Sequence, residues 1–582
     1  MQLSQENSSR IRIGYGFIVL IIGIFIIRLF YLQVIKHDYY QTTALKGQYK
    51  EYELPPKRGV IEAQNGDGTV PIVLNEIKYT LFADPVYIKD KQAVAESIQK
   101  IIGGNIDEIK GKLQDKSRYV ILAKKLNKDQ KESVDKLELK GIGTREQSYR
   151  TYPQGEMAAS LLGFVNDEGE GKYGIEQALN EKLAGQPGQL KAITDARGVP
   201  LVANKDNVIK EAENGKRVVL TIDMSMQQQL ETILKNGLEQ AKSKSGGVFV
   251  MDVNTGAIKA MANYPTYNPA EFFKVEDGSV FNNTNVSDAY EVGSVMKPLT
   301  MAAALTEGAV KPDTTYYDPG VFTVDGNKIT NVEESGGPGT KSMADILRLS
   351  LNTGATWLLM QMGGGEINAK ARDTWHNYMV NKYRFSKITN IEQGYESPGL
   401  VPNPEEGYGL NIRFANSAFG QGMTATPIQM GSALASVLNG GTYYRPRLVD
   451  QIISNDGKIE KIQPDVVETN VVSQQASQSV TDFMVNLINA NHRVYSFELR
   501  PGYLVGGKTG TAQIANPNGG YYDDRYNGSF TGFVGGKKPQ YVIVVRVNEP
   551  HVPGYAGSKA AGPIFSATAN MLIDNFGVVP NN

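Results

Sequence analysis

The chain has 582 residues, 41% of them hydrophobic and 21% charged, an ordinary globular composition that excludes a short peptide factor and wholesale disorder. Lys and Arg number 60 against 61 Asp and Glu, a formal net charge of -1, so neutralising nucleic-acid phosphates is not its main work. Cysteine is absent, which removes thiolate metal sites, disulfide frameworks and cysteine nucleophiles together. The four histidines, His37, His376, His492 and His551, have no i, i+4 spacing and offer no H-E-x-x-H zinc site.

Residues 13–35 are apolar, with Arg28 as the only charge. At about 1.5 Å per residue a helix there reaches roughly 35 Å, enough to cross a bilayer. No small-residue cleavage motif follows it, so the run reads as an uncleaved anchor. Arg10 and Arg12 flank its N-terminal side, which predicts a cytoplasmic tail at 1–12 and an extracytoplasmic remainder. Residues 36–215 read as a mixed region. A strand at 58–61 enters a turn at Asn65-Gly66, and two or three amphipathic helical stretches fill 91–140.

The pattern changes near 215. A strand at 217–222 leads to Asp223, which reads as the N-cap of a helix running to about Ala241. Strands at 246–253 and 257–262 flank the turn Asn254-Thr255-Gly256, and strands at 528–534 and 541–547 come late in the chain. Helical patterns lie at 294–307, 342–362, 424–438 and 562–575. Strands at both ends with helices between predict an α+β domain over 216–582, its sheet assembled from both ends.

Three short motifs in this region fit one pocket. Ser294-Val295-Met296-Lys297 is S-x-x-K, Ser350-Leu351-Asn352 is S-x-N, and Lys508-Thr509-Gly510 is K-T-G. On a helix, S-x-x-K puts the hydroxyl and the amine one turn apart on one face. A neutral amine can then take the hydroxyl proton, and burial or a second cation such as Lys508 lowers its pKa. Alone the motif is weak: Ser97-Ile98-Gln99-Lys100 repeats it on an amphipathic helical stretch, where a solvated face explains it. Ser294 instead follows Tyr290-Glu291-Val292-Gly293, a glycine turn before a helix start, where its own N–H can help bind an oxyanion. Ser350 and Asn352 suit a proton relay and a contact to substrate or Lys297, or equally a local side chain–backbone pair. Lys508-Thr509-Gly510-Thr511 sits on a strand-like run from Val505 to Ile514, whose edge can pair with an extended peptide while Lys508 and Thr509 bind its carboxylate, or it forms a tight turn with an exposed lysine. S-x-N and K-T-G each occur once, and all three motifs in this order form a far stronger signal than any one.

With these motifs the chain resembles the class B penicillin-binding proteins over nearly its whole length. Gly420-Gln421-Gly422, Ala425-Thr426-Pro427, Lys508 through Gln513 and Ser529-Phe530-Thr531-Gly532-Phe533 are similar to that family's signatures. So are Arg58-Gly59, Arg150-Thr151-Tyr152-Pro153 and Gly174-Ile175-Glu176 in the first region. Leu162-Gly163-Phe164 and Ser529-Phe530 look more like the septal, cell-division branch than the elongation branch. The sequence departs at Val292, where the family usually has proline, and at Ser386 and Asn390, where glycines are usual.

The resemblance implies a tail at 1–12, an anchor at 13–35, a pedestal or dimerisation-like domain at 36–215 and a serine β-lactamase-like transpeptidase domain at 216–582. The implied activity is a D,D-transpeptidase that cross-links peptidoglycan stems ending in D-Ala-D-Ala through a serine acyl-enzyme, with β-lactams as inhibitors. Ser294 is then the nucleophile and Lys297 its base. The N–H groups of Ser294 and Thr511 form the oxyanion hole, Ser350 and Asn352 relay the proton and position the peptide, and Lys508, Thr509, Gly510 and Thr511 bind substrate. The reaction needs neither metal nor organic cofactor. Partners implied are a SEDS-family glycan polymerase and divisome proteins, and no nucleic acid. A D,D-carboxypeptidase and a non-enzymatic β-lactam sensor share the motifs. The sensor would need a cytoplasmic effector that a tail of about 12 residues does not supply. A β-lactamase would not need residues 36–215.

Overall fold

The computed structural model describes residues 3–40, 43, 49–114, 116–193, 208–332, 336–495, 497–516 and 519–580. By packing, the chain divides into two units, Met1–Lys57 with Gly185–Asn214, and Arg58–Ala184 with Gly215–Asn582. The first unit holds the apolar helix Leu3–Phe30, which continues as a π-helical turn through Tyr31–Ile35. Among the described residues it is the one helix long and apolar enough to span a membrane, counted from Arg10 to Ile35, and none of it is buried within the protein. The Arg28 guanidinium lies 5.6 Å from the centre of the Tyr31 ring, as the i, i+3 spacing dictates. The same unit contains an antiparallel sheet of Tyr49–Leu54, Gly188–Ile193 and Val208–Lys210.

In the second unit, residues from both sides of position 215 share one seven-stranded sheet. Arg217–Asp223 pairs in parallel with Ile61–Asn65 and antiparallel with Val449–Ile453. The long strand Gly68–Ala83 continues the sheet and pairs with both Val120–Leu126 and Ile142–Thr151. Three helices, Lys91–Ile102, Ile106–Leu113 and Lys128–Asp135, occupy the stretch read as amphipathic, each opened by an Asp or Asn cap. The strand Val120–Leu126 between them escaped the sequence reading because its two lysines interrupt the apolar alternation. Ser97, of the isolated S-x-x-K, donates to Ala93 O one turn back, and Lys100 is exposed.

One ion cluster ties this region together. Glu176 is fully buried and accepts from Arg58 Nε at 2.7 Å and Arg150 Nε at 2.6 Å. Arg150 Nη1 also donates to Asn75 Oδ1 at 2.8 Å.

The site-bearing sheet runs Ile258–Tyr264, Ser245–Asp252, Pro539–Asn548, Tyr521–Gly535, Leu504–Ala515, all antiparallel. Its central strand, Pro539–Asn548, holds the apolar run Val542–Val545, as expected of a strand covered on both faces. Val544 packs toward the helix Pro427–Leu438 at Gly431. The neighbouring register points Phe530 to the opposite face, where it stacks on Phe565 of the helix Gly562–Asn575 with ring centres 4.2 Å apart. Asp223 caps the helix Met224–Gln240 through Met226 N, as its position predicts.

Two sequence expectations need correction. The helix placed at 342–362 is two helices, Met343–Arg348 and Asn352–Met362. The first ends in a Schellman motif in which Leu351 N donates to Ile346 O, and Ser350 takes the left-handed position at φ 56°. Apolar periodicity continues across the break and hides it. The pattern at 424–438 becomes a helix only at Pro427, because Thr426 and Gln429 form a capping box ahead of it.

Replacing Glu176 with Ala leaves two guanidiniums buried without their carboxylate. A destabilisation of about 3–5 kcal/mol is expected, read as a lowered urea midpoint. An unchanged midpoint would show that the cluster is solvated.

Candidate active site

Gly293 opens the site. It sits at φ 64°, donates to Gly420 O at 2.9 Å, and turns the chain into the short 3-10 segment Gly293–Met296 and the helix Lys297–Thr306. Gly420 presses against this turn so closely that a Cβ on it would lie 2.1 Å from Gly293 O. Ser294 is therefore in the first turn of a helix, where its N–H has no helical acceptor. Val292, at φ -76°, occupies a backbone conformation that proline also adopts, so the departure there leaves the turn intact.

The Lys297 amine is fully buried beside Ser294. Its Nζ lies 2.9 Å from Ser294 Oγ, 2.7 Å from Ser350 O, 3.1 Å from Ser350 Oγ and 2.8 Å from Asn352 Oδ1. The left-handed turn at Ser350, which costs a non-glycine residue about 1–2 kcal/mol, holds both of its oxygens at the amine. Asn352 Nδ2 donates to Thr330 O at 3.0 Å, which fixes the amide with its oxygen toward Lys297. Two of the four neighbours, Ser350 O and Asn352 Oδ1, can only accept. A neutral amine meets them with its two N–H groups and keeps its lone pair for a hydroxyl proton. Burial first, and Lys508 second, hold the Lys297 pKa well below the usual lysine range.

Lys508, Thr509, Gly510 and Thr511 lie on Leu504–Ala515, the edge strand of the sheet. Lys508 is buried, which pushes its pKa down to about 7, and its Nζ donates to Thr509 O at 3.0 Å. Among the described residues neither buried lysine has a carboxylate partner. Gly510 faces Val292 and Val295, and a Cβ there would stand 2.3 Å from Ser529 Oγ and 2.8 Å from Val292 O. Thr511 Oγ1 accepts from Gly557 N at 3.1 Å. A Cβ on Gly293 would approach Thr511 O to 3.2 Å, so that carbonyl faces the Ser294 turn. In a strand a residue's N–H shares the side of its C=O, so the Thr511 N–H faces the turn too. The structure thus gathers Ser294, Lys297, Ser350 and Asn352 around one amine, with the 508–511 strand packed against their turn.

Sequence reasoning gave no role to Glu291 or Tyr521. Glu291 Oε1 accepts from Tyr521 Oη at 2.8 Å and Gly422 N at 3.0 Å, and burial raises its pKa. This carboxylate ties the turn before Ser294 to the start of the strand Tyr521–Gly535. An acid ahead of a helix is a common signal, and nothing in the run 521–526 marks its partner. The residues standing where the family has glycine, Ser386 and Asn390, adopt φ 58° and 59°. The loop therefore keeps a left-handed geometry that glycine would take without strain, and Ser386 Oγ accepts from Val401 N at 2.7 Å.

Residues 246–570 match the penicillin binding protein transpeptidase domain, and residues 53–220 match the penicillin-binding protein dimerisation domain. The chain belongs to the penicillin-binding protein transpeptidase family. It is similar to peptidoglycan D,D-transpeptidase FtsI of Escherichia coli K12, at 26% identity over 97% of this chain and 92% of that protein. It is also similar to stage V sporulation protein D of Bacillus subtilis, at 28% identity over 95% of this chain and 83% of that one. Among solved structures, penicillin binding protein 2X from Streptococcus thermophilus superposes with a TM-score of 0.72 at 24% identity, covering 90% of this chain and 80% of that one. Penicillin binding protein 3 of Mycobacterium tuberculosis, solved with aztreonam, gives 0.68 at 23% identity, covering 91% and 99%.

The two lysines predict a bell-shaped pH profile for acylation by a fluorescent penicillin. The rising limb is loss of the Lys297 proton; the falling limb, near pH 7, is loss of the Lys508 charge. Lys508→Met removes the cation that helps depress Lys297, so the rising limb should move to higher pH and the falling limb disappear. Stopped-flow labelling across pH 5–9 (about two units either side of pH 7) checks both shifts, and an unmoved profile contradicts the assignment.

Proposed function

We propose that this chain is a membrane-anchored peptidoglycan D,D-transpeptidase acting in septal wall synthesis, with residues 36–215 as its pedestal. The observation that carries the reading is the buried, uncompensated Lys297 amine within 2.9 Å of Ser294 Oγ. In this reading Ser294 Oγ attacks the penultimate carbonyl of a stem ending in D-Ala-D-Ala and Lys297 takes the hydroxyl proton. The N–H groups of Ser294 and Thr511 hold the oxyanion. Ser350 passes the proton from Lys297 to the departing D-Ala nitrogen as the peptide C–N bond breaks, and Asn352 positions the stem. Lys508, Thr509 and Thr511 bind the C-terminal carboxylate, and Gly510 lets the substrate backbone approach the strand edge. An amine of a neighbouring stem then attacks the ester and returns its proton through Lys297 to Ser294 Oγ.

Product analysis with a purified stem-bearing polymer should give cross-linked dimer and free D-Ala. Ser294→Ala should abolish both. Lys297→Arg should lower the rate about 10²–10⁴-fold, because a guanidinium cannot serve as the base. Trimmed tetrapeptide without dimer would make the enzyme a carboxypeptidase, and labelling by penicillin that survives Ser294→Ala would remove the assignment.

The apolar helix is read with its N-terminus cytoplasmic and the catalytic unit outside. Arg28 and Tyr31, an i, i+3 pair near the helix's outer end where Gln33 also lies, offer a polar face to a SEDS-family glycan polymerase and, through it, the divisome. Protease added to spheroplasts should digest everything beyond the anchor. Exchange of residues 13–35 for an unrelated apolar span should preserve penicillin labelling and weaken co-purification with the polymerase. A protected catalytic unit would reverse the topology, and undiminished co-purification would make the span a simple tether.

A further inference from the structure

Thr353, next in the chain to Asn352, meets a carboxylate that takes no part in the proton transfers. Asp318 ends the strand Thr315–Asp318 and is 1% exposed. Its donors are all neutral: Gly320 N at 2.8 Å on Oδ1, and Thr353 Oγ1 at 2.8 Å and Asn331 Nδ2 at 3.2 Å on Oδ2. A carboxylate kept from water without a cation is stable only if such bonds are made and held. Tyr316 on the same strand feels the charge: burial first, and Asp318 second, raise its pKa.

The bonds form a set that fixes the Asn331 amide. Asn331 Nδ2 donates to Asp318 and, at 2.7 Å, to Thr353 Oγ1, while Asn331 Oδ1 accepts from Thr353 N at 3.1 Å. The Thr353 hydroxyl also lies 3.0 Å from Asn331 Oδ1, but it has a single proton and the carboxylate is the stronger acceptor. Thr353 N–H is in the first turn of the helix Asn352–Met362, where Leu351 supplies no side-chain cap, so Asn331 meets an otherwise orphaned donor. Both oxygens of Asp318 accept. An amide in its place would turn an amino group toward either the Gly320 N–H or the Asn331 and Thr353 donors.

The clamp grips the residues that follow Thr330 and Asn352. Asn352 Nδ2 donates to Thr330 O at 3.0 Å, and Asn352 Oδ1 lies 2.8 Å from Lys297 Nζ. Holding Asn331 against Thr353 therefore holds the Thr330 carbonyl against Asn352 and keeps the amide oxygen on the amine. Around Lys297 stand Ser294, Ser350, Asn352, the Phe419 ring at 6.0 Å and Lys508 from the edge strand; Lys508 is the charged group among them.

We propose that Asp318 is a positioning residue for acylation: through Asn331 and Thr353 it holds Asn352 with its oxygen on the Lys297 amine, which leaves the amine's lone pair for Ser294. This rests on the reading of Ser294 as nucleophile and Lys297 as base.

The full-length protein in detergent is labelled with fluorescent penicillin by stopped flow, across penicillin concentration and pH. Asp318→Asn should lower the limiting acylation rate about 10–100-fold and change the half-saturating concentration less than about twofold, since the reacting groups move and the carboxylate-binding strand does not. Its rising pH limb should move to lower pH, because an N–H turned toward Nζ and a lost negative charge both disfavour the ammonium. Asp318→Asn combined with Asn331→Asp exchanges acid and amide, satisfies the same Gly320 and Thr353 groups, and should recover most of the rate. Thr353→Val, a milder change that serves if Asp318→Asn unfolds, should lower the rate about tenfold. Glu176→Ala, outside the site, controls for lost stability and should acylate at the wild-type rate wherever circular dichroism shows it folded. Folded Asp318→Asn or Thr353→Val with the wild-type rate, or an exchanged pair as slow as Asp318→Asn alone, would overturn the proposal. Labelling that survives Ser294→Ala would instead remove the reading beneath it, and the proposal with it.

Discussion

A lysine amine removed from water without a counter-ion is the constraint around which this site is arranged. An ammonium in that position would be strongly disfavoured, while a neutral amine that is fully hydrogen-bonded is not. Every oxygen that meets Lys297 is accordingly uncharged: a carbonyl, an amide and two hydroxyls. A single aspartate among them would restore the charge and end its use as a base. The strained Ser350 backbone and the Asn352–Thr330 bond follow from this need, because each aims a neutral acceptor that side-chain freedom alone would not hold. Lys508 adds to the pressure as a second buried cation whose charge acts on Lys297.

The region around Glu176 solves burial in the opposite way. There the carboxylate is present and fork-shaped guanidiniums close on it, Arg58 from the segment ahead of Ile61–Asn65 and Arg150 from near the end of Ile142–Thr151, giving rigidity and no proton chemistry. One chain thus contains both responses to buried charge, loss of a proton where reactivity is required and ion pairing where shape is required. The edge strand links shape to reactivity through steric fit at Gly510, where any side chain would collide with Ser529 and Val292.

Much of this was readable in advance. The α+β character, the N-terminal apolar helix and the late strands were visible because they depend on period and composition, which are local properties. The three motifs marked residues that the fold does bring together, since each contains its own spacing constraint. What stayed hidden depends on partners far apart in sequence. The Glu291–Tyr521 bond spans 230 positions, and no local pattern announces it. The break at Ser350 was masked because a serine stands in a turn that usually advertises itself with glycine. The parallel pairing of Ile61–Asn65 with Arg217–Asp223 was likewise invisible, as strand partners are chosen by tertiary packing.

The order of strands in the site-bearing sheet has a consequence for biogenesis. The hairpin at 245–264 and the edge strand bearing Lys508 never touch; Pro539–Asn548 and Tyr521–Gly535 lie between them. The closing contact, Ser243 with Asn548, joins residues 305 positions apart. Such closure is slow, and it must wait until Pro539–Asn548 has been made, long after the hairpin. Until then the early hairpin exposes unpaired backbone, and the chain carries a nucleophile with no strand to complete its pocket. The pocket is therefore incomplete in any nascent chain that has not yet reached Leu504–Ala515 and Pro539–Asn548.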